Sequence, residues 1–355
     1  MLYAVLAVLF IIGAMIGSFL NVCIARLPYE KSILWPLGSR CGTCLKPILW
    51  YDNLPLVSYL VLRGRCRMCG ARFSPRYFFV ELITGLGIAG LFYLEVIQNV
   101  LEIPVPRPVG DLSLGLPPWR ACVVFAAHAT LLCFLLVASF VDLAHFEIPL
   151  PVTVTGTIVG LAFSTLCPWP WPNSAPPVPK IPPGGWLQFN NFNPPSGMQS
   201  WPIWFPLPAW LQPPGTWHTG LATGLAGVLA GTMMLRAIRF VFGLGRGREG
   251  LGIGDADLMM MAGAFLGWQA VVVAFFVSVF PALLVGMVQL IFRGGQEIPF
   301  GPSLALGTVI TFLCWRSISP HVGFVFFTGP FIGALAVACL LLLLVASFTI
   351  RVVRR

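Results

Sequence analysis

Two aspartates stand beside long apolar runs in a sequence with few charges. Asp142 directly follows the apolar run 120–141, and Asp255 ends the sequence Gly-Ile-Gly-Asp at 252–255. Two carboxyl groups held close together in a poorly solvated site share a proton, so that one activates a water molecule while the other polarises a carbonyl. The sequence therefore predicts an aspartic peptidase with Asp142 and Asp255 as its catalytic residues.

The glycines before Asp255 fit this prediction. Gly252 and Gly254 place no side chain beside the acid, which lets an extended substrate backbone approach closely. The motif by itself is weak, because an aspartate at a helix N-terminus also serves as a cap. Asp257 lies two residues further on, about 200° around a helix from Asp255, and is left out of the predicted site.

A second constellation consists of four cysteines. They form two Cys-x-x-Cys knuckles separated by 21 residues, with Cys41 and Cys44 in the first and Cys66 and Cys69 in the second. This spacing is typical of a tetrahedral thiolate site for structural zinc, which stabilises a small domain with little core. Two disulfides or four free thiols are the alternatives, and a position in the reducing cytosol favours the metal.

The elements that carry these residues must lie in lipid. The 355 residues are 57% hydrophobic and only 9% charged, which excludes an ordinary soluble domain. A membrane helix needs about 20 apolar residues. We expect an all-α polytopic integral membrane protein with about eight to nine transmembrane helices and a small cytosolic zinc-knuckle domain between helices 1 and 2. The predicted spans are 2–25, 77–98, 120–141, 149–167, 218–242, 270–292, 298–315 and 321–350, with a short ninth at 256–268.

The distribution of Lys and Arg predicts the orientation of these spans. Residues 26–76 contain nine basic residues and 236–248 contain four, whereas the alternate connections contain only Arg107, Arg120, Lys180 and Arg316. By the positive-inside rule, the N-terminus is outside and the C-terminus is cytosolic. Both aspartates then fall at the cytosolic boundary, and the net charge of +9 reflects topology, not nucleic-acid binding.

These patterns divide the chain into four predicted parts. Residues 1–25 form a retained first transmembrane helix, 26–76 the cytosolic four-cysteine domain, 77–350 the peptidase core and 351–355 a basic cytosolic tail. The core includes an external loop, 168–217, that is rich in Pro and Trp and rests on the headgroup layer or contacts a partner. His128 lies about 21 Å from Asp142 along one helix, and we interpret it as a satisfied intramembrane histidine.

Several linked motifs resemble the bacterial type IV prepilin peptidases, which are leader peptidases and N-methyltransferases of pilus and type II secretion systems. The resemblance covers nearly the whole chain. It rests on Gly17-Ser18-Phe19-Leu20-Asn21-Val22, Arg26-Leu27-Pro28, the two cysteine knuckles, residues 47–55, Ser74 to Glu81, Asp142, the Gly252 to Asp255 motif and residues 298–302.

The resemblance implies a bacterial inner-membrane enzyme that cleaves the leader peptide of type IV prepilins or pseudopilins at the cytosolic face. It also implies methylation of the new N-terminus from S-adenosylmethionine. Asp142 and Asp255 match the catalytic pair, and Asn21, Arg26 and Glu81 match regions associated with methyl transfer or leader recognition. The sequence departs from the family at Leu150, where an aspartate is usual, and at Ala256-Asp257, where a lysine is common.

Two other functions remain open from the residues alone, and a third is disfavoured. A zinc-knuckle membrane scaffold would use the aspartates as structural acids, and another intramembrane protease of the Gly-x-Gly-Asp type would share the motif at Asp255. An ion-coupled transporter would use buried acids as proton sites, but it predicts inverted repeats, which the sequence lacks. Replacing either aspartate by asparagine separates a scaffold from a catalytic pair.

Overall fold

A computed structural model describes residues 2–33, 35, 39–101, 119–166, 216–247, 252–293, 299–327 and 329–353. The predicted external loop, with six of its seven tryptophans, lies outside these residues. The exception is Trp217, which begins a helix and does not belong to the loop. The helices of the described part are α1 Leu2–Arg26, α2 Val57–Val61, α3 Arg76–Leu91, α4 Trp119–His145, α5 Leu150–Leu166, α6 Trp217–Arg246, α7 Ile253–Arg293, α8 Gly301–Leu313, α9 Trp315–Phe327 and α10 Gly329–Val353.

The all-α membrane architecture is confirmed. Five described helical segments are long and apolar enough to cross a bilayer, and they correspond to α1, α3, α4, α6 and α7. Shorter apolar helices occupy Leu150–Leu166, Gly301–Leu313 and Gly333–Thr349. The protein is therefore a multi-pass membrane protein, while the total of eight to nine spans stays a prediction.

The chain divides into two compact units. The first contains residues 1–99 and 106–152, and the second contains 100–105 and 153–355. In the first unit α1 packs closely on α3, because α1 carries glycines at the contact: a Cβ on Gly13 would lie 2.9 Å from Gly85 Cα, and one on Gly17 would lie 2.7 Å from Glu81 Cα. Helix α4 packs against both.

In the second unit the antiparallel helices α6 and α7 are in backbone contact. A Cβ on Gly227 would overlap the carbonyl of Gly263, and one on Gly231 would overlap the carbonyl of Met259. Small residues at such an interface let two membrane helices approach closely. This packing fixes the start of α7, where Asp255 lies.

Helix α7 is interrupted at Gly267, whose φ of 79° and ψ of 175° are not helical. A straight helix of 41 residues would be about 60 Å long, twice the roughly 30 Å hydrocarbon core. The predicted run 256–268 and the predicted span 270–292 are thus both parts of α7, divided at Gly267. The part before the break is about 20 Å long.

The predicted single span 321–350 is wrong at its beginning. Residues 315–327 form α9, and α10 starts separately at Gly329. Pro330 follows at once. Proline has no backbone N–H to donate and is favoured in the first turn of a helix, which fits the start of α10 at this point.

Candidate functional site

Asp142 lies in the last turn of α4 and is only 5% exposed. Its backbone carbonyl accepts a hydrogen bond of 2.8 Å from the N–H of Phe146. Phe146 has a left-handed backbone with φ 58°, which ends the helix just after the acid. The aspartate is therefore a buried carboxyl group at the boundary of a membrane helix.

A ring contact shows on which side of its unit Asp142 lies. The rings of Tyr29 and His145 meet edge to face with centroids 5.5 Å apart. Tyr29 follows α1, where the chain enters the cysteine domain, and His145 is the last residue of α4. Asp142 thus lies at the same end of the first unit as the cysteine domain, as its predicted depth requires.

Asp255 lies in the first turn of α7 and is 8% exposed. Its Oδ2 accepts a hydrogen bond of 3.1 Å from the N–H of Gly252. The carboxylate therefore also caps this helix, a role that the sequence analysis left open for Asp255. A Cβ on Gly252 would lie 3.4 Å from the same oxygen. The glycine therefore keeps that side of the carboxylate clear.

Arginines gather at the same end of the second unit. Arg236 Nη2 lies 3.5 Å from Asp257 Oδ1, so Asp257 is the ion-pair partner of Arg236. The guanidinium of Arg351 lies beside Gly247, where α6 ends. Asp255 thus lies at the same end of the second unit as the arginines from which its cytosolic position was predicted.

The two cysteine knuckles meet as predicted. The Sγ atoms of Cys41, Cys44, Cys66 and Cys69 all lie within 4.8 Å of one another, and those of Cys41 and Cys69 are 3.8 Å apart. Four thiolate sulfurs that each lie about 2.3 Å from one zinc ion are roughly 3.8 Å from one another, whereas the two sulfurs of a disulfide are about 2.05 Å apart. The four residues fit a tetrahedral zinc site.

Matching hairpins present these thiols. Isolated β-bridges join Arg40 to Pro47 and Arg65 to Arg72. Inside them the N–H of Cys41 donates to Lys46 O at 3.1 Å, and that of Cys66 donates to Ala71 O at 2.8 Å. The N–H groups of Cys44 and Thr43 lower the pKa of the Cys41 thiol to about 6. The N–H of Ala71 acts in the same direction on Cys69, but burial and the three neighbouring thiols outweigh it and raise the pKa of Cys69 to about 11, so Cys41 is the thiol of the cluster that ionises most readily.

A cavity of about 380 Å³ lies between the cysteine domain and the adjoining ends of α1 and α3. Asn21, Arg26 and Glu81, which the sequence singled out together, all line it. Residues distant in sequence are thus gathered in one concave site. Its size falls in the range of small-molecule binding sites.

Each of these three side chains has a distinct environment. Arg26 Nη1 donates to the carbonyls of Ser32 and Ile33, at 3.0 Å each, and so shapes the chain after α1. Glu81 Oε2 accepts from the N–H of Leu56 at 2.8 Å. Asn21 is 2% exposed, and its Nδ2 donates to a backbone carbonyl of α3 at 3.0 Å. Its Oδ1 has no hydrogen-bond donor among the described residues.

The structure adds an ion pair that the sequence analysis missed. Both Nε and Nη2 of Arg67 donate to the carboxylate of Asp52, at 2.8 and 2.7 Å, and this hydrogen bonding lowers the pKa of Asp52. Asp52 lines the cavity. The two residues are 15 positions apart and do not belong to the same helix, so no periodic pattern pointed to the pair.

A second missed residue is Glu95. His128 Nδ1 lies 2.7 Å from Glu95 Oε1, and the side chains are 2% and 0% exposed. The prediction that His128 is a satisfied intramembrane histidine is confirmed. Glu95 belongs to the π-helical segment Phe92–Ile97 that extends α3.

Comparison with known families gives two matches. Residues 11–95 match the bacterial peptidase A24 N-terminal domain, and residues 201–287 match the type IV leader peptidase family. The first match includes Asn21, the four cysteines and Glu81, and the second includes Asp255. No solved structure matches the chain.

Curated relatives agree with these matches. A prepilin leader peptidase/N-methyltransferase of Klebsiella pneumoniae is 30% identical over 74% of this chain and 85% of the relative. A protein of the same name from Aeromonas hydrophila is 28% identical over 88% of this chain and 92% of its own length. A third, from Myxococcus xanthus, is 32% identical over 81% of this chain, which spans 63% of that relative.

Proposed function

The chain belongs to the type IV leader peptidase family, and from this premise we propose that it cleaves the leader peptides of prepilins or pseudopilins and then methylates the new N-terminus. The observation that carries the proposal is the pair of acids Asp142 and Asp255. Both are nearly buried at the boundary of a membrane helix. Intramembrane carboxyl groups are costly and mark functional sites.

In the proposed cleavage step, one aspartate is ionised and the other protonated. The carboxylate takes a proton from a water molecule, whose oxygen bonds to the scissile carbonyl carbon, while the protonated acid donates to the carbonyl oxygen. Collapse of the tetrahedral intermediate breaks the C–N bond and returns a proton to the leaving amine. Gly252 and Gly254 leave room for the extended substrate backbone beside Asp255.

The test is cleavage of a prepilin peptide in membranes by the wild type and by Asp142→Asn and Asp255→Asn at equal expression. Each variant should lose about 10²- to 10⁴-fold in rate, the range for removal of a general acid or base. Asp257→Asn is the matched control and should cleave normally, because Asp257 faces Arg236. Normal cleavage by either of the first two variants would make that aspartate structural and favour a scaffold.

We assign the methyl-transfer half to the cavity lined by Asn21, Arg26 and Glu81. S-adenosylmethionine supplies an electrophilic methyl group when bound. The residues of the cavity would hold the free amine of the new N-terminus so that its lone pair faces this methyl group, and the proton that the amine loses would pass to water. Asn21 Oδ1 is a buried acceptor that can orient an N–H donor such as this amine.

The four-cysteine cluster is proposed to bind structural zinc and thereby to stabilise one wall of this cavity. Gly42, Thr43, Ala71 and Arg72, which neighbour the cysteines in the chain, all line the cavity. We also propose that the protein lies in the bacterial inner membrane with its N-terminus outside and its C-terminus cytosolic. The cysteine domain and the aspartates then face the cytosol, as the basic ends of both units indicate.

A further inference from the structure

The short helix α2 has one face against α3 and the cavity. The rings of Tyr59 and Phe78 are 5.7 Å apart, and the N–H of Leu56 donates to Glu81 Oε2. Ser58, Tyr59 and Leu62 line the cavity. Helix α2 is thus attached alongside the first two turns of α3.

The length of α3 shows the membrane depth of that attachment. The apolar span Arg76–Ile97 has 22 residues and is about 33 Å long, close to the roughly 30 Å of a hydrocarbon core. Because the span has almost no excess length, the hydrocarbon begins near its first turn. Glu81 lies about 8 Å along this span. Helix α2 therefore lies at the depth of the membrane boundary, and not in the water beyond the membrane.

The opposite face of α2 is apolar and exposed. Val57, Leu60 and Val61 are 56%, 63% and 69% exposed. Their spacing of three and four residues places them on one side of a helical turn. The first turns of α3 also carry exposed apolar side chains, since Phe79 is 51% and Ile83 41% exposed.

Exposed arginines follow this face directly. Arg63 and Arg65 are exposed and come two and four residues after Val61. An apolar face flanked by basic residues is typical of segments that lie in the interface, with the apolar side chains among the acyl chains and the cations at anionic headgroups. The depth, the apolarity and the charge of α2 point to the same occupant.

We propose that α2 is an interfacial membrane anchor, with Val57, Leu60 and Val61 inserted into the bilayer leaflet on the side of the cysteine domain. The anchor holds the cavity at headgroup depth through the cavity-lining residues on its other face. The inference concerns the placement of the cavity and needs neither catalytic activity.

The test places an environment-sensitive fluorescent amino acid at Leu60, and at Met68 as control, in the full-length protein in anionic nanodiscs. Met68 is 60% exposed, which matches Leu60, but it lies in the second cysteine knuckle. Two quenchers report the surroundings: lipids brominated on their acyl chains and aqueous iodide. Leu60 should be quenched at least about threefold more strongly by the lipids than Met68, and Met68 more strongly by iodide.

Equal iodide quenching at the two positions would place α2 in water and overturn the proposal. Protection of Leu60 from both quenchers would also overturn it, because protein and not lipid would then cover the face. Peptide cleavage and methylation by the labelled proteins are measured in parallel. Because quenching does not depend on either activity, a failure of the proposed function and a failure of the anchor are distinguishable.

Discussion

Asn21 is the residue whose environment argues most directly for a ligand. A buried acceptor without a donor costs about 1 to 3 kcal/mol, and the residue that carries this acceptor lines a cavity of suitable size. We predict that Asn21→Ala lowers methylation about 5- to 150-fold, the range that corresponds to that energy. Leader cleavage should remain normal. Mass spectrometry of the product N-terminus measures both reactions in one sample.

Cleavage is the internal control in this experiment. If cleavage and protein level fall together with methylation, Asn21 acts through folding, because its Nδ2 joins α1 to α3 through the carbonyl of Tyr77. Unchanged methylation would mean that the acceptor faces no substrate group.

The Glu95–His128 pair is a second residue-scale feature with a clear energetic consequence. Removal of one partner of a buried pair leaves the other uncompensated, at a cost of about 3 to 5 kcal/mol. We expect Glu95→Leu and His128→Leu each to lower the thermal stability of the purified protein strongly. The double replacement should recover much of the loss, because it leaves neither polar group buried. A double variant that is as unstable as the sum of the two would contradict this coupling.

At the scale of elements, the contact between α6 and α7 decides where Asp255 lies. A Cβ at Gly227 overlaps the backbone of Gly263, whereas Gly243 in the same helix has no atom within 4 Å of its would-be Cβ. Gly227→Ala should therefore destabilise the second unit by about 1 to 3 kcal/mol and reduce cleavage. Gly243→Ala should be neutral or slightly stabilising, because alanine favours a helix more than glycine.

Unfolding temperature and cleavage rate of the two alanine variants measure this difference. Equal effects at Gly227 and Gly243 would show that helix propensity, and not the contact with α7, determines the outcome.

The membrane helices were predictable because apolar runs long enough to cross a bilayer are rare outside membrane-spanning segments. The error in the predicted spans arose at 321–350, where the Gly329-Pro330 pair begins a new helix within a continuous apolar run. This pair carried a usable signal, since proline is rare inside a helix. The predicted boundary between 256–268 and 270–292, in contrast, lies next to the break at Gly267.

The candidate site was predictable in part, for the same kind of reason. Two Cys-x-x-Cys knuckles at this spacing point to one metal site from local sequence alone, and the four Sγ atoms do converge. Asn21 and Glu81 were singled out only by family resemblance, since their meeting depends on how α1 packs on α3. The sequence alone did not single out Glu95, because its role depends on its contact with His128. Its burial follows from the tertiary packing of α3 against α4.

At the scale of the whole molecule, the proposed chemistries use different parts of the chain. Methyl transfer is assigned to a cavity that lies wholly within the first unit. The proposed cleavage step uses Asp142, which belongs to the first unit, and Asp255, which belongs to the second. Damage confined to the cysteine domain should therefore affect methylation before cleavage, because Asp142 is carried by α4, which packs on α1 and α3.

Loss of the metal tests this separation. We predict one zinc ion per chain in the purified protein and none in the Cys41→Ser, Cys66→Ser double variant, measured by elemental mass spectrometry. Structural zinc contributes directly to the folding of small domains, so the cavity wall should loosen and methylation should fall at least about tenfold, while cleavage falls less. Cys339→Ser is the control, because Cys339 is exposed on α10. Full methylation without zinc would show that the helix ends alone maintain the cavity, whereas equal loss of both reactions would show that the cysteine domain also supports the aspartates.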